Sequence, residues 1–375
     1  MHKNLLHYTY AEINLAAIGH NIKEVKKLLL PGTKFMAVVK ANAYGHGALE
    51  VSTQALKSGA DILAVASVKE ALELRDGGIS APVLVLSETS PDLVDYLVEE
   101  DLTQTIYTRR LAEALSRAAS RKGKKAKVHI KVDTGMGRVG VDPKEAAELI
   151  GYVKQLDGIE LEGIFTHLAL ADDAENEFTD EQLERFRATV AALEKGGVKV
   201  PYLHAANSSA TLFHHKAHLD IVRIGLLMYG LKPETAKTFD INLQPALAFK
   251  SKVLYLKRVA AGTPLSYGST YVTDRETQIA TVPVGYADGY SRALSNKASV
   301  LIRGKRYPVV GRVCMDLTLV NVFDDNIQVE DEVVLIGRQG TEEITATELA
   351  LLENTVNYEI VCSIGKRVPR VYLSA

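Results

Sequence analysis

Eight short strand-like runs, joined by crossovers of helical length, fill the chain between about residues 14 and 229. The runs lie at 35–40, 62–66, 83–86, 104–107, 128–132, 163–167, 202–205 and 221–224. The apolar periodicity predicts helices over 69–75, 109–121, 144–156 and 180–195. A further helix runs from its cap at Asn14 to about Leu30, where Pro31-Gly32 ends it. The first run, apolar without alternation over 35–39, predicts a strand buried on both faces, as parallel strands with helical crossovers are. Eight such units predict an α/β fold of the (β/α)8 barrel kind, spanning 13–235.

Past residue 235 the helical period gives way to strand-like runs at 248–259, 278–282, 299–302, 307–310, 317–322 and 332–336. One helical stretch, 346–354, interrupts them. Residues 236–375 therefore predict a second, mostly β domain, joined by residues 1–12, where 8–13 alternates like a strand. The 375 residues carry a net charge of only −2, which excludes a broad basic field for nucleic acid or an anionic membrane. The expected ligand is thus a small molecule. No run is long and uncharged enough to span a bilayer and residues 1–10 lack an apolar core, so a cytoplasmic protein is expected. Cys314 and Cys362 are the only cysteines, too few for a disulfide framework and too far apart in sequence for a metal knuckle.

In a barrel of this kind the chemistry lies where strands end, and the residues that end them form a consistent set. The first strand runs out at Lys40, followed by Ala41-Asn42-Ala43, Tyr44 and the loosening pair Gly45 and Gly47. An amine held between water and an apolar wall is discouraged from being charged, and a neutral lysine forms a Schiff base with an aldehyde. The fifth strand leads into Asp133 and Arg138, the sixth into Thr166-His167, the seventh into Asn207-Ser208-Ser209, and the eighth carries Arg223 with Gly225 beyond it. Loops after strands seven and eight commonly hold phosphate in barrels, which makes Ser208, Ile224 and Gly225 candidates for it. A nucleophilic lysine, a phosphate cradle and a strong cation at one barrel mouth together point to pyridoxal 5'-phosphate.

Two other patterns lead elsewhere and are set aside. Residues 135–140, GMGRVG, fit a dinucleotide fingerprint, but follow the fifth strand and end before the next helix starts. Residues 214–218, HHKAH, space two histidines like a zinc helix, but His215 stands where the catalytic glutamate belongs. In the β domain, 265–271 and 284–290 are rich in hydroxyls beside glycines, and Cys314-Met315-Asp316 follows an apolar strand.

Taken together, these segments resemble the alanine racemase family over nearly the whole chain. VVKANAYGHG at 38–47 resembles its cofactor-attachment motif, with Lys40 as Schiff-base lysine and one catalytic base and Tyr44 beside it. KVDTGMGRVG at 131–140 implies that Arg138 binds the substrate carboxylate and that Lys131 is a candidate carbamate orienting it. The resemblance further implies cofactor contacts by His167, Ser208, Arg223, Ile224, Gly225 and Tyr358. It implies Tyr267 as the second base, and Tyr286, Met315 and Asp316 at the substrate end. Implied as well are L-/D-alanine interconversion supplying D-alanine for peptidoglycan, and a homodimer with shared active sites. Where Gly365 stands, another residue is more usual in the family.

These residue types suit racemisation, because inversion at Cα needs a base on each face, and Lys40 and Tyr267 differ in kind. A tyrosine near pKa ~10 serves as a base only if cations favour its phenolate, a task for His167 and Arg223. A guanidinium only donates, so a ring nitrogen facing Arg223 stays unprotonated and the cofactor is a weaker electron sink, which disfavours transamination. A barrel decarboxylase would place a carboxylate there instead. A serine or broad-specificity racemase shares every feature above, and a non-catalytic pyridoxal-phosphate carrier would have no use for Tyr267.

Overall fold

The computed structural model describes residues 8–173, 175–233 and 239–373. They divide into two compact units, one of residues 18–43 and 48–244, the other of residues up to 17, 44–47 and from 245 onward.

The first unit is the expected barrel. Its strands are β2 (Lys34–Val38), β3 (Ile62–Val65), β4 (Val83–Val85), β5 (Thr103–Ile106), β6 (Ala126–Lys131), β7 (Ile159–Phe165), β8 (Tyr202–His204) and β9 (Ile221–Ile224); β1 (Tyr10–Asn14) belongs to the other unit. All pair in parallel in the order β8-β7-β6-β5-β4-β3-β2-β9. The ring closes between β8 and β9 through Asp220 N–H to Leu203 O (3.1 Å) and Arg223 N–H to Ala206 O (3.0 Å). Strands β4, β5 and β9 are buried along their whole length, the reason their sequences show no alternation. Side-chain caps set the crossover helices. Ser67 and Glu70 form a capping box on Val68–Asp76, Thr108 caps Arg109–Lys122, and Gly123 ends that helix at φ 60°.

One local feature departs from expectation. The first barrel strand stops at Val38, and Ala41, Asn42 and Ala43 follow as a left-handed turn with φ of 52°, 53° and 52°; Tyr44 continues it at 53°. Lys40 therefore opens a left-handed turn rather than ending a strand. L-residues avoid this conformation by about 1–2 kcal/mol each, so other contacts must hold it. Ala41 N–H donates to Glu70 Oε1 (2.7 Å), Ala43 N–H to Val39 O (2.8 Å), and Asn42 Oδ1 accepts from Ala48 N–H (2.9 Å).

The second unit is the expected β domain. It holds β1 and, after the barrel, β10 (Leu247–Lys252), β11 (Tyr255–Val259), β12 (Pro264–Leu265), β13 (Tyr271–Val272), β14 (Thr277–Val282), β15 (Ser299–Ile302), β16 (Lys305–Pro308), β17 (Thr318–Phe323), β18 (Glu332–Gln339), β19 (Glu342–Ile344) and β20 (Arg370–Leu373). The main sheet runs β16-β15-β18-β10-β1-β20 with β19 on β18, and β11-β14-β17 and β12-β13 form two smaller ones. The single strand expected over 248–259 is two strands, β10 and β11, of different sheets. A short helix, Asn357–Cys362, was not anticipated from the sequence; at six residues it offers too little periodicity to read.

Candidate active site

The barrel mouth gathers Lys131, Arg138, His167 and Arg223, and the charge of Lys40 reaches both Lys131 and His167. Lys131 ends β6 and is buried. Burial first, then Arg138 and Arg223, bring its amine down to about 8. Residues 133–141 fold back on that strand: Val141 N–H donates to Lys131 O and Asp133 N–H to Val141 O, both at 2.9 Å. Asp133 Oδ1 accepts from Gly135 N–H (3.0 Å) and Gly137 N–H (3.1 Å), so the glycines of the dinucleotide-like pattern serve a self-contained loop that presents Arg138.

Arg223 is the best-anchored side chain of the set. Its two Nη2 hydrogens are shared among Thr166 O (2.8 Å), Ala205 O (2.9 Å) and His167 Nδ1 (3.2 Å), and its Nη1 donates to His204 Nδ1 (3.0 Å). Its ring neighbour Phe165 lies with its centroid 5.3 Å away and stacks on His204 at 4.6 Å. Burial lowers its pKa to about 9, still charged at neutral pH. Because arginine only donates, His167 Nδ1 must accept, which leaves Nε2–H as that ring's donor. Burial, Arg223, Lys131, Arg138 and Lys40 hold His167 neutral, with a pKa near about 2. That corrects the expectation of His167 as a cation.

Ser208 opens the helix Ser208–Phe213, capped by Asn207, and its Oγ accepts from Gly225 N–H (3.1 Å), bringing two expected phosphate residues together beside Ile224. Tyr229, overlooked in the sequence, donates its hydroxyl to Val38 O (2.9 Å) beneath the Lys40 turn. His204 was overlooked too, although its position two residues after Tyr202 on a barrel strand marks it as sharing that residue's face.

The remaining expected residues lie in the β unit. Tyr267 stands 72% exposed in a tight turn with Ser266 at φ 60°, Gly268 at 72° and Ser269 at 48°. Tyr286 and Met315 are exposed as well, and their segments are bonded by Tyr286 N–H to Cys314 O and Ala287 N–H to Met315 O, each 3.0 Å. Gly285 permits this approach; a Cβ there would lie 2.3 Å from Cys314 O. Arg367 ties the same segments, donating from Nε to Asp288 Oδ1 and from Nη2 to Asp316 Oδ1, both 2.7 Å. Tyr44 belongs to this unit, and burial, with Cys362 and Tyr358 nearby, pushes its phenol up. Of the zinc-like histidines, His218 Nε2 meets Thr211 O (3.1 Å), and no group of metal-binding side chains occurs among the described residues.

A (β/α)8 barrel with a lysine and a buried cation cluster at its mouth, in a chain that also carries a β domain, has the layout of a barrel enzyme that handles a small anionic ligand. Comparison with known proteins makes this specific. Residues 13–233 match the family model described as alanine racemase, N-terminal domain, and residues 246–372 that of the C-terminal domain. The alanine racemase of Symbiobacterium thermophilum is 52% identical over 365 residues, 97% of each chain. Among solved structures, alanine racemase from Clostridium difficile 630 superposes with a TM-score of 0.94 at 38% identity, covering 99% of this chain and 97% of that one. The Bacillus anthracis enzyme with bound L-Ala-P gives 0.94 at 39% identity, covering 99% and 96%. The chain belongs to the alanine racemase family. Membership carries the reaction, interconversion of L- and D-alanine, and implies pyridoxal 5'-phosphate.

Proposed function

We propose that this chain racemises alanine by a two-base reaction in which Lys40 and Tyr267 serve opposite faces of Cα, with pyridoxal 5'-phosphate held by the barrel. The observation that carries it is Arg223: a buried cation bonded only to carbonyl oxygens and imidazole nitrogens, with no carboxylate partner among the described residues. Its Nε–H is left over from these bonds, a donor for a ring nitrogen. The hydroxyl proton of Ser208 is likewise available to a phosphate, since its oxygen already accepts from Gly225. The donor set fits the cofactor.

When bound, pyridoxal 5'-phosphate supplies the electron sink that makes the substrate Cα–H acidic. Arg223 keeps the atom it faces unprotonated, which limits how far charge leaves Cα and favours its prompt reprotonation. Lys40 exchanges the proton on one face and Tyr267 on the other. Arg138 holds the substrate carboxylate. Lys131, an amine lowered to about 8 beside Arg138 and Arg223, is a candidate for reaction with carbon dioxide, whose carbamate would pair with those cations. His167, Ile224, Tyr44 and Tyr358 complete the cofactor contacts, and Tyr286, Met315 and Asp316 the substrate end.

A base that is 72% exposed works only if something covers it, since solvent would otherwise exchange with the proton it carries. This supports a homodimer in which Tyr267 of one chain completes a site holding Lys40 of the other. Incubating the purified protein and pyridoxal phosphate with single L-amino acids, and following loss of optical rotation, tests the reading. Alanine should lose rotation fastest. Faster loss with serine would reassign the substrate, and no loss with any amino acid would leave a carrier.

A further inference from the structure

Below the barrel mouth lies a row of buried polar side chains that the mechanism above does not use. His129 Nδ1 meets His204 Nε2 at 2.8 Å, and His204 Nδ1 meets Arg223 Nη1 at 3.0 Å. Both rings are almost wholly buried, and their centroids lie 5.0 Å apart in an edge arrangement. At the far end, His129 Nε2 lies 4.0 Å from Glu162 Oε2, which accepts from Thr103 Oγ1 at 3.1 Å.

The backbone is shaped for this row. His129 pairs across the sheet with Gly163, where a Cβ would lie 2.6 Å from His129 Nδ1, so any larger residue would displace the ring. One position earlier Val128 pairs with Leu161, which leaves Glu162 as the extra residue of a bulge in β7. A bulge re-aims the side chain at its extra residue, here toward His129.

The direction of the bonds follows from one fact: Arg223 only donates. His204 Nδ1 must therefore accept, its neutral ring carries the proton on Nε2, and that proton is given to His129 Nδ1. His129 in turn carries its proton on Nε2, on the side of Glu162. Burial first, then Arg223, keeps both rings neutral, His129 at about 3 and His204 well below the usual histidine range. Of the four acceptors around Arg223, two are backbone carbonyls and one, His167, stands at the mouth; the fourth is held in place by this row.

We propose that His129 and Glu162 are positioning residues for Arg223, acting through His204: the row fixes one imidazole tautomer at each step and so fixes the direction in which the guanidinium presents Nε–H. The kinetic part of the test rests on Arg223 facing the cofactor ring, as proposed above; the tautomer part does not.

In the purified enzyme labelled with 15N-histidine, NMR should show His129 and His204 neutral with the proton on Nε2 from pH 6 to 9. A protonated ring, or a proton on Nδ1 of either, overturns the row whatever the cofactor does. His129→Leu leaves His204 Nε2–H without an acceptor. It should lower kcat roughly tenfold with KM for alanine changed by less than about twofold. His129→Asn, whose Oδ1 accepts where Nδ1 did, should recover most of the loss. A folded, cofactor-loaded His129→Leu with unchanged kcat, or an Asn variant no better than Leu, overturns the positioning role, and the NMR on the unmutated protein decides even if the variants fail to fold.

Discussion

The barrel mouth and the β-domain loops carry comparable shares of the proposed chemistry and are built in opposite ways. Arg223 is buried with four acceptors, Lys131 is buried among cations, and Ser208 is fixed by the Gly225 amide. Tyr267, Tyr286, Met315 and Tyr358 are exposed; positive-φ turns and close glycine contacts set the backbone at the first three, and a short helix carries Tyr358. The barrel is preorganised for a ligand that stays, because every donor is set before the ligand arrives. The β unit presents side chains whose surroundings are still to be supplied. The cofactor and the covering partner proposed above would make those different demands.

The largest effect should come from breaking the barrel side. Lys40→Ala should lower racemisation by about 10³-fold or more, and borohydride, which fixes pyridoxal phosphate on wild-type protein, should label no lysine in the variant. Label recovered on another lysine of the wild type would move the attachment site. On the β side, Tyr267→Phe should cost about 10²-fold or more. Refolding it together with Lys40→Ala should restore roughly a quarter of wild-type sites, because random pairing makes half the dimers mixed and each mixed dimer has one intact site. Activity staying at the parents' level would place both bases in one chain and end the contrast drawn here.

A smaller effect tests the buried cations. With its folded pKa lowered to about 8, Lys131 releases its proton earlier in the folded chain than in the unfolded one, near ~10.4. Between those values the unfolded chain binds more protons, so stability rises with pH there, and the full penalty applies below 8. In buffer stripped of carbon dioxide, Lys131→Met should therefore melt a few degrees higher than wild type at pH 7, the gain vanishing by about pH 10.5. Were the ordering reversed on adding bicarbonate, with a carbamate carbon seen by 13C NMR, the modified lysine would be the native form. The smallest effect concerns Ala41, at φ 52°. Ala41→Gly should stabilise the chain by roughly 0.5–1 kcal/mol in chemical denaturation and slow turnover slightly by loosening Lys40.

The barrel was legible because β2, β3, β4 and β9 are buried runs dominated by apolar residues and because helical periods recur between the strands, patterns that survive without knowledge of neighbours. The polar residues after those strands were legible for the same reason, once strand ends could be placed. The left-handed turn after Lys40 was not. Ala41 and Ala43 carry no local signal for positive φ, and the bond that holds Ala41 comes from Glu70, which is remote in sequence. Nor could 248–259 be divided, since the break between β10 and β11 at Val253-Leu254 is apolar and lacks turn residues. His129 and Glu162 stayed hidden because their meeting depends on a one-residue slip between β6 and β7, which no periodicity reports. Tyr358 was placed by resemblance, without the helix that carries it.

Strand β1 pairs with β10 on one side, antiparallel, and with β20 on the other, in parallel. Both partners are synthesised after the barrel, and β20 ends at Leu373. A strand of residues 10–14 thus waits through the synthesis of the whole barrel before it has anything to bond, with Ala11 and Ile13, fully buried in the finished sheet, meanwhile in water. On the ribosome the barrel has all its strands once residue 224 has emerged, whereas the main β sheet is completed only when residues 370–373 have followed. A protein truncated before Arg370 would keep β1 but leave it an open edge, the kind of surface on which chains aggregate.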